Sequence, residues 1–167
     1  MKENNWFDPF YIQSHLSEEE SNIQKNVRNF CNNELKTTVV QRNRKNEFDK
    51  DLYPKFGSLG VLGQTVKTHG GSGTSNLAYG LVAYEFEKID SSYRSSISVQ
   101  SSLVIHPISE FGSEKQKDKY LPKLIKGEQI GCFGLTESEA GSDPASMKTT
   151  FKKTKDGYIL NGSKNWI

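Results

Sequence analysis

Residues 131–146, GCFGLTESEAGSDPAS, have a composition that could bind a phosphorylated ligand. The stretch 141–143 is expected to present consecutive backbone N–H groups, and such a nest suits a pyrophosphate. Ser142 adds a hydroxyl group there. Leu135 and Thr136, just before the loop, could offer backbone groups to the polar edge of a planar ring. Composition alone favours a simpler explanation, an ordinary Gly/Ser/Asp turn between two strands.

The elements that position this segment are predicted to be helical up to about residue 128. Ser17 and Glu20 have the spacing of a capping box, which begins a helix that could run to about Phe48. Residues 1–16 before it form an irregular lead-in. The apolar residues of this first helix recur at helical spacing and give one stripe, Ile23, Val27, Phe30, Cys31 and Leu35.

Five further helices are predicted from apolar spacing, caps and glycine stops. The helix over 77–89 is apolar nearly all round, which is usual for a central helix. His106 and Pro107 predict a new helix start, and Ser113 with Gln116 predicts a second capping box. The five helices cover residues 52–59, 77–89, 95–103, 106–112 and 114–125, with 68–75 as a loop.

Beyond Gly127 the apolar spacing changes from helical to extended. Residues 129–137 are a strand candidate, and residues 147–154 alternate between apolar and polar side chains. Asp156 and Gly157 predict a turn.

A hairpin is predicted at Asn161-Gly162, because this pair tolerates the positive φ of a type I′ turn. It would join residues 158–160 to residues 164–167. The apolar Trp166 and Ile167 would then lie in mid-strand, and a three-stranded sheet with a free apolar edge is marginal alone. We therefore expect the sequence to stop inside a domain.

Charge and cysteine usage exclude several classes of protein. The net charge is +2, and charged residues (25% of the chain) are interleaved in sign, so no nucleic-acid footprint is predicted. Arg42, Arg44 and Lys45 are expected to form a solvated face. Cys31 and Cys132 are far apart without metal-ligand spacing, which favours two small buried thiols in a reducing compartment over a disulfide or metal site. No apolar run reaches membrane-spanning length.

Two motifs occur in register, residues 134–143 (GLTESEAGSD) and residues 161–167 (NGSKNWI). Their order and spacing, with helical sequence upstream, resemble those of the acyl-CoA dehydrogenase family. The resemblance extends from about Trp6 to Ile167. Within the family the sequence most resembles the glutaryl-CoA dehydrogenases. That likeness is carried by Tyr93-Arg94-Ser95, residues 98–103, His106-Pro107, residues 112–114 and residues 119–124.

The resemblance implies an α+β fold, with an N-terminal all-α helical domain over residues 1–128 and the first strands of a middle β domain over residues 129–167. The family's C-terminal helical bundle is absent from this sequence. The resemblance also implies FAD as cofactor and oxidation of glutaryl-CoA at Cα–Cβ. Hydride would pass to the flavin, and decarboxylation would give crotonyl-CoA. Electrons would leave to an electron-transfer flavoprotein.

The same resemblance implies a homotetramer when the chain is complete, in the mitochondrial matrix of a eukaryote or the cytoplasm of a bacterium. It places Leu135 and Thr136 near the isoalloxazine and Ser142 near the phosphates and the thioester of coenzyme A. The FAD-binding residues that it implies are Phe133, Leu135, Thr136, Gly141, Ser142, Trp166 and Ile167.

Arg94 is implied to pair with the distal carboxylate of glutaryl-CoA, and a guanidinium suits this because it binds a carboxylate with two hydrogen bonds. Ser95 and Ser98 would support the same end, and Glu87 would orient the guanidinium. Without the resemblance, an ordinary ion pair of Arg94 with Glu87 or Asp90 is favoured.

The sequence also departs from the family pattern. Ser138-Glu139-Ala140 replaces the residues that many relatives have there, at positions expected to face outward. The catalytic glutamate is expected beyond Ile167, and neither Glu87 nor Glu137 matches it. Two alternatives stay open: another acyl-CoA dehydrogenase or an acyl-CoA oxidase, and a truncated, non-catalytic helical interaction fragment.

Overall fold

The computed structural model describes residues 8–167, which form two compact units that divide after Gly131. Of the predicted lead-in, residues 1–7 lie outside the described residues, and Ile12–His15 forms one 3₁₀ turn. The first unit is helical, and the second, Cys132–Ile167, contains the two strands. The predicted helical N-terminal part followed by β structure is confirmed.

Helix α1, Glu18–Phe30, begins with the predicted capping box, in which Ser17 and Glu20 each bond the other's backbone N–H. It continues as a π-helical turn, Cys31–Leu35, whose Lys36 N–H donates to the Cys31 carbonyl. The prediction of one helix to Phe48 is wrong, because the chain turns after Leu35 and resumes as α2, Val39–Lys45. In this wide turn, the last carbonyl groups accept from N–H groups five residues on, so the α-helical hydrogen-bond pattern does not continue.

Helices α3, Leu52–Ser58, and α4, Asn76–Glu87, are confirmed as elements. The Ser75 side chain caps α4 by accepting from the Ala78 N–H. Helix α4 packs against both α1 and α5, and it is central as predicted. It is not covered all round, because Leu77 and Tyr84 are about half exposed, at 49% and 54%.

The stretch from Ser91 to Phe111 is one helical run in three parts. These are α5, Ser91–Ser98, a π-helical segment, Val99–Ile105, and α6, His106–Phe111. Helix α6 begins at His106-Pro107 as predicted, but it follows the π-helical segment without a break, since the His106 N–H donates to the Ser101 carbonyl. Proline usually marks a first turn because it lacks an N–H. In the segment just before Pro107, the backbone hydrogen bonds already join residues five apart, as in a π-helix. The proline therefore interrupts no series of regular α-helical hydrogen bonds.

Helix α7, Glu114–Ile125, has the second predicted capping box, formed by Ser113 and Gln116. Buried Gln100 fixes the chain where it leaves this helix. Its Nε2 donates to the carbonyls of Leu124 at 2.9 Å and Gln129 at 2.8 Å, and its Oε1 accepts from the Gly131 N–H at 2.9 Å. One side chain thus satisfies three backbone groups of the segment that leads out of the helical unit.

The core of the helical unit contains an aromatic cluster around Phe56, whose side chain is fully buried. Its ring lies 5.3 Å from that of Phe86, 5.9 Å from that of Tyr53 and 6.0 Å from that of Phe30. These centroid distances are those of favourable edge-to-face and tilted aromatic pairs. The predicted stripe of α1 meets this core through Val27, Cys31 and Leu35, with Ile23 and Phe30 partly buried against it.

A buried carboxylate, Glu85, ties α4 to α1. It is 2% exposed and accepts from Gln24 Nε2 at 2.9 Å and Arg28 Nη2 at 2.9 Å. Lys88 Nζ lies 3.4 Å from its other oxygen. A carboxylate this deep needs such partners, because an unpaired buried charge is strongly destabilising.

The second unit contains one antiparallel hairpin, β1, Thr150–Lys153, paired with β2, Tyr158–Asn161. The predicted turn at Asp156-Gly157 joins them, and the Thr154 N–H donates to the Gly157 carbonyl at 2.8 Å. All eight strand residues are exposed. Phe151 and Tyr158 stack on one face with centroids 4.6 Å apart.

Two predictions for this unit are wrong. Residues 129–137 form no strand, because within Cys132–Ile167 only the bridge between Glu137 and Ala140 pairs any of them. Asn161-Gly162 forms no hairpin, since Asn161 ends β2 opposite Thr150. Glycine is needed at 162 for close approach instead: a Cβ there would lie 2.2 Å from Thr149 Oγ1.

Within residues 8–167, no helix is long and apolar enough to cross a membrane. The same part of the chain holds no cluster of His, Cys, Asp and Glu that could bind a metal ion. Of the two thiols expected to be buried, Cys31 is buried and Cys132 is exposed. Burial raises the pKa of the Cys31 thiol to about 12.

Candidate functional site

Arg94 lies on α5 and is partly exposed, at 37% of its side-chain area. Its Nε donates to Glu87 Oε2 at 2.7 Å, so Glu87 does hold the guanidinium. Ser91 donates to the other oxygen, Glu87 Oε1, at 2.6 Å. The Ser91 hydroxyl and then Arg94 lower the pKa of Glu87, which keeps this carboxylate charged. Asp90 is not the partner of Arg94, because its side chain caps α5 through Ser92.

The guanidinium retains free donors after this pairing. Within residues 8–131, Nη1 and Nη2 of Arg94 donate no hydrogen bond, since only Nε is engaged. Ser98 follows Arg94 by one helical turn on the same face, and Ser95 adjoins it, both half-buried. The two Nη groups, which a guanidinium presents in one plane, form a donor set that suits a carboxylate.

We use "cradle segment" for residues 131–143, whose centre is a tight loop. Glu137 and Ala140 exchange both backbone hydrogen bonds, each 3.1 Å long, so Ser138 and Glu139 project outward at the tip as predicted. The prediction is wrong for Ala140, which was also expected to face outward but is only 1% exposed because its side chain lies on the inner side of the loop. Phe133 is 41% exposed. Gly141 and Ser142 follow the loop and are exposed.

The cradle segment offers unpaired backbone donors at two places. Within Cys132–Ile167, the N–H groups of Leu135 and Thr136 donate to no acceptor, and neither do those of residues 141–143. Open space surrounds Gly141, where an added Cβ would meet no atom within 4 Å. The first pair can bond the polar edge of a planar ring, and the second group can bond a phosphate.

The main feature that the sequence prediction missed is a Lys164–Glu137 ion pair behind the cradle segment. Lys164 Nζ lies 2.9 Å from Glu137 Oε1 and 2.8 Å from the Leu135 carbonyl oxygen. Glu137, 9% exposed, also accepts from the backbone N–H groups of Lys148 at 2.6 Å and Thr149 at 3.1 Å. Both residues lie inside the two motifs, but their contact joins positions 27 apart and has no local sequence pattern.

Trp166 and Ile167 are largely exposed, at 95% and 71%. Trp166 has a φ of 59°, a left-handed conformation that is unusual for a bulky residue. Next to it, the Asn165 N–H donates to the Thr136 carbonyl at 2.8 Å, so this segment is tied directly to the cradle segment. The structure therefore brings the end of the second motif beside the start of the first.

The pairing of Glu137 predicts acid sensitivity of the second unit. The Lys164 ammonium, with hydrogen bonds from residues 148 and 149, lowers the pKa of Glu137 from 4.5 to about 2. Because the folded pKa is the lower one, this stabilisation is complete above pH 4.5 and is lost as the pH falls towards 2. NMR titration should show the amides of Lys148 and Thr149 shifting in that window. Glu137→Gln should abolish the transition, and an unchanged titration in that variant would contradict the assignment.

Comparison with known proteins places these features in a family. Residues 17–128 match the acyl-CoA dehydrogenase N-terminal domain, and residues 132–167 match the middle domain of the same enzymes. The chain belongs to the acyl-CoA dehydrogenase family. Residues 132–143 of the cradle segment and residues 161–167 are therefore parts of an acyl-CoA dehydrogenase middle domain.

Relatives of this acyl-CoA dehydrogenase chain act on different acyl groups. It is 40% identical over 155 residues to the mitochondrial isovaleryl-CoA dehydrogenase of Pongo abelii, covering 91% of this chain and 37% of that protein. A glutaryl-CoA dehydrogenase from Mycobacterium smegmatis in complex with FADH2 is 41% identical, with a TM-score of 0.90 over 94% of this chain and 41% of its own. Butyryl-CoA dehydrogenase from Megasphaera elsdenii is 38% identical, with a TM-score of 0.81 over 89% and 40%.

The chain thus spans about two fifths of the length of these relatives. Acyl-CoA dehydrogenases are FAD-dependent, and the residues present here fit such a cofactor. The free N–H groups at 135–136 suit the polar edge of the flavin, and those at 141–143 suit its pyrophosphate.

Proposed function

We propose that the protein carrying this chain is an FAD-dependent acyl-CoA dehydrogenase that oxidises glutaryl-CoA and decarboxylates it to crotonyl-CoA. FAD when bound would accept the hydride, and an electron-transfer flavoprotein would receive the electrons. The observation that carries the choice of substrate is Arg94, whose two Nη groups donate no hydrogen bond within residues 8–131 and which precedes Ser98 by one helical turn.

The role of each residue follows from its contacts. Leu135 and Thr136 would bind the flavin edge through backbone groups, Gly141 and Ser142 would hold the phosphates, and Trp166 with Ile167 would cover the ring. Arg94 would hold the distal carboxylate of the substrate while Glu87 fixes its Nε. Glu87 and Glu137 are held by these hydrogen bonds, so we assign neither of them as the catalytic base.

A dehydrogenase for neutral acyl groups, such as isovaleryl or butyryl, is the second candidate. One observation favours it: Glu87 already neutralises the Arg94 charge at 2.7 Å, so no second carboxylate is required there. In the relatives, both substrate types occur at nearly equal identity. The two candidates share the flavin site and differ only in what Arg94 contacts.

Binding of FAD can be tested on this chain through Trp166. The chain contains two tryptophans, and we expect FAD to give weak but saturable quenching of their emission because the exposed indole of Trp166 meets the ring. Trp166→Phe is the control, and the saturable component should disappear in it. Quenching that does not saturate, or that is equal in both proteins, would contradict the flavin site.

A further inference from the structure

Each N–H bond of the Lys164 ammonium is directed to an acceptor in the chain. A lysine has three N–H bonds, and here they are directed to the Leu135 carbonyl at 2.8 Å, Glu137 Oε1 at 2.9 Å and Met147 Sδ at 3.2 Å. Its side chain is only 25% exposed. An ordinary surface lysine directs most of its N–H bonds to water, whereas this one directs all three to atoms of the chain. Such fixation indicates a role beyond solubility.

The bond to Leu135 determines the direction of a neighbouring donor. The peptide between Leu135 and Thr136 is planar and trans, so its C=O and its N–H point in opposite directions. Lys164 holds the C=O on its own side, which turns the Thr136 N–H to the opposite side. The next peptide is fixed as well, because the Thr136 carbonyl accepts from the Asn165 N–H at 2.8 Å. Thr136 is thus clamped on both sides while its own N–H donates to no acceptor within Cys132–Ile167.

The charge of Lys164 also strengthens that donor. A carbonyl that accepts from a cation polarises its peptide, and a polarised peptide is a better N–H donor. Glu137 prevents the ammonium from turning away, and Glu137 is itself held by the backbone of Lys148 and Thr149. The Thr136 N–H is therefore fixed and polarised, while the Lys164 charge that polarises it is paired with Glu137.

We infer that Lys164, held by Glu137, is a positioning residue that aims and polarises the Thr136 N–H for the electron-rich edge of the flavin. This inference rests on the proposed function for the identity of the acceptor. The orientation of the Thr136 peptide is a property of the chain itself and can be measured without FAD.

The test compares Lys164→Met with Lys148→Met in the full chain by NMR and by FAD titration. Lys148 is the matched control because its ammonium pairs with Glu139 at the exposed loop tip, 75% exposed, and its backbone bond to Glu137 is kept. In Lys164→Met the Leu135 carbonyl and Thr136 amide resonances should move, while those of β1 and β2 stay. The FAD dissociation constant should rise by up to about tenfold, the effect of losing roughly one hydrogen bond. Lys164→Arg should restore both.

A double variant guards against loss of folding. Lys164→Met combined with Glu137→Gln leaves no buried carboxylate unpaired, and it should show the same change at Thr136. Two results would overturn the inference in favour of a purely structural ion pair. One is an equal Thr136 resonance in Lys164→Met and Lys148→Met. The other is loss of the β1 and β2 resonances both in Lys164→Met and in the double variant. If the wild-type chain binds no FAD, the proposed function fails, whereas the NMR comparison still decides what Lys164 does.

Discussion

Replacing Phe56 by alanine is expected to lower the free energy of unfolding of the helical unit by about 3–5 kcal/mol. The side chain is fully buried, and its ring contacts those of Phe30, Tyr53 and Phe86. Truncation removes the buried apolar area and leaves a cavity that α1, α3 and α4 cannot close without losing their other contacts. Urea denaturation followed by helical circular dichroism should show a lower midpoint with an unchanged slope.

Phe111→Ala provides the matched control, because it deletes the same atoms from a ring that is 86% exposed. Its effect should stay within about 0.5 kcal/mol, as is usual for surface positions. If both variants lost similar stability, the aromatic cluster around Phe56 would not be the centre of the core. A changed slope in the Phe56 variant would point to altered compactness of the unfolded or folded state instead.

Arg94→Gln is expected to lower kcat/KM for glutaryl-CoA by at least about 30-fold relative to butyryl-CoA in the protein that carries this chain. Losing a hydrogen bond between charged groups costs about 2 kcal/mol, and only glutaryl-CoA brings the distal carboxylate. Butyryl-CoA should be affected weakly, because its acyl end needs no cation. Steady-state kinetics with both substrates measure the ratio directly.

Arg44→Gln removes the same charge from an exposed residue of α2 and should leave both substrates unaffected. A loss shared equally by glutaryl-CoA and butyryl-CoA in Arg94→Gln would show that the bond to Glu87 is structural. That result would favour the neutral-acyl candidate and leave the flavin site intact. The experiment thus separates the two proposed substrates without depending on which relative is more similar.

The helical part could be predicted from the sequence because its determinants are local. Ser17 with Glu20, and Ser113 with Gln116, form capping boxes from side chains three residues apart. The stripe that includes Val27, Cys31 and Leu35 is likewise a matter of spacing along one helix. The two π-helical turns were not predictable, since they depend on how the surrounding helices pack and not on a residue pattern.

The second unit could be predicted less well because its determinants lie far apart in sequence. The Asn161-Gly162 pair has a strong turn composition, yet Asn161 is taken up by pairing with Thr150, and Gly162 makes room for Thr149. The strand expected over residues 129–137 lacks a neighbouring strand within Cys132–Ile167, and a strand needs such a neighbour.

The candidate site divides in the same way. The residues of the cradle segment could be found from composition and motif, whereas the contact between Lys164 and Glu137 could not. The hydrogen bonds of Gln100, which reach 24 to 31 residues along the chain, were equally invisible. Polar side chains that bond distant backbone leave no periodic trace in a sequence.

The π-helical segment Val99–Ile105 has a consequence for evolution. A wide turn holds one residue more than an α-helical turn, and in a straight helix an added residue would rotate everything after it by about 100°. A local widening accommodates the extra residue. Arg94 before it and Ile108 after it can therefore stay on the same faces of the helix. Homologues could therefore differ by a one-residue insertion or deletion here while the helical residues before and after it keep their packing. A gap in an alignment at this place would indicate a change between π-helical and α-helical winding.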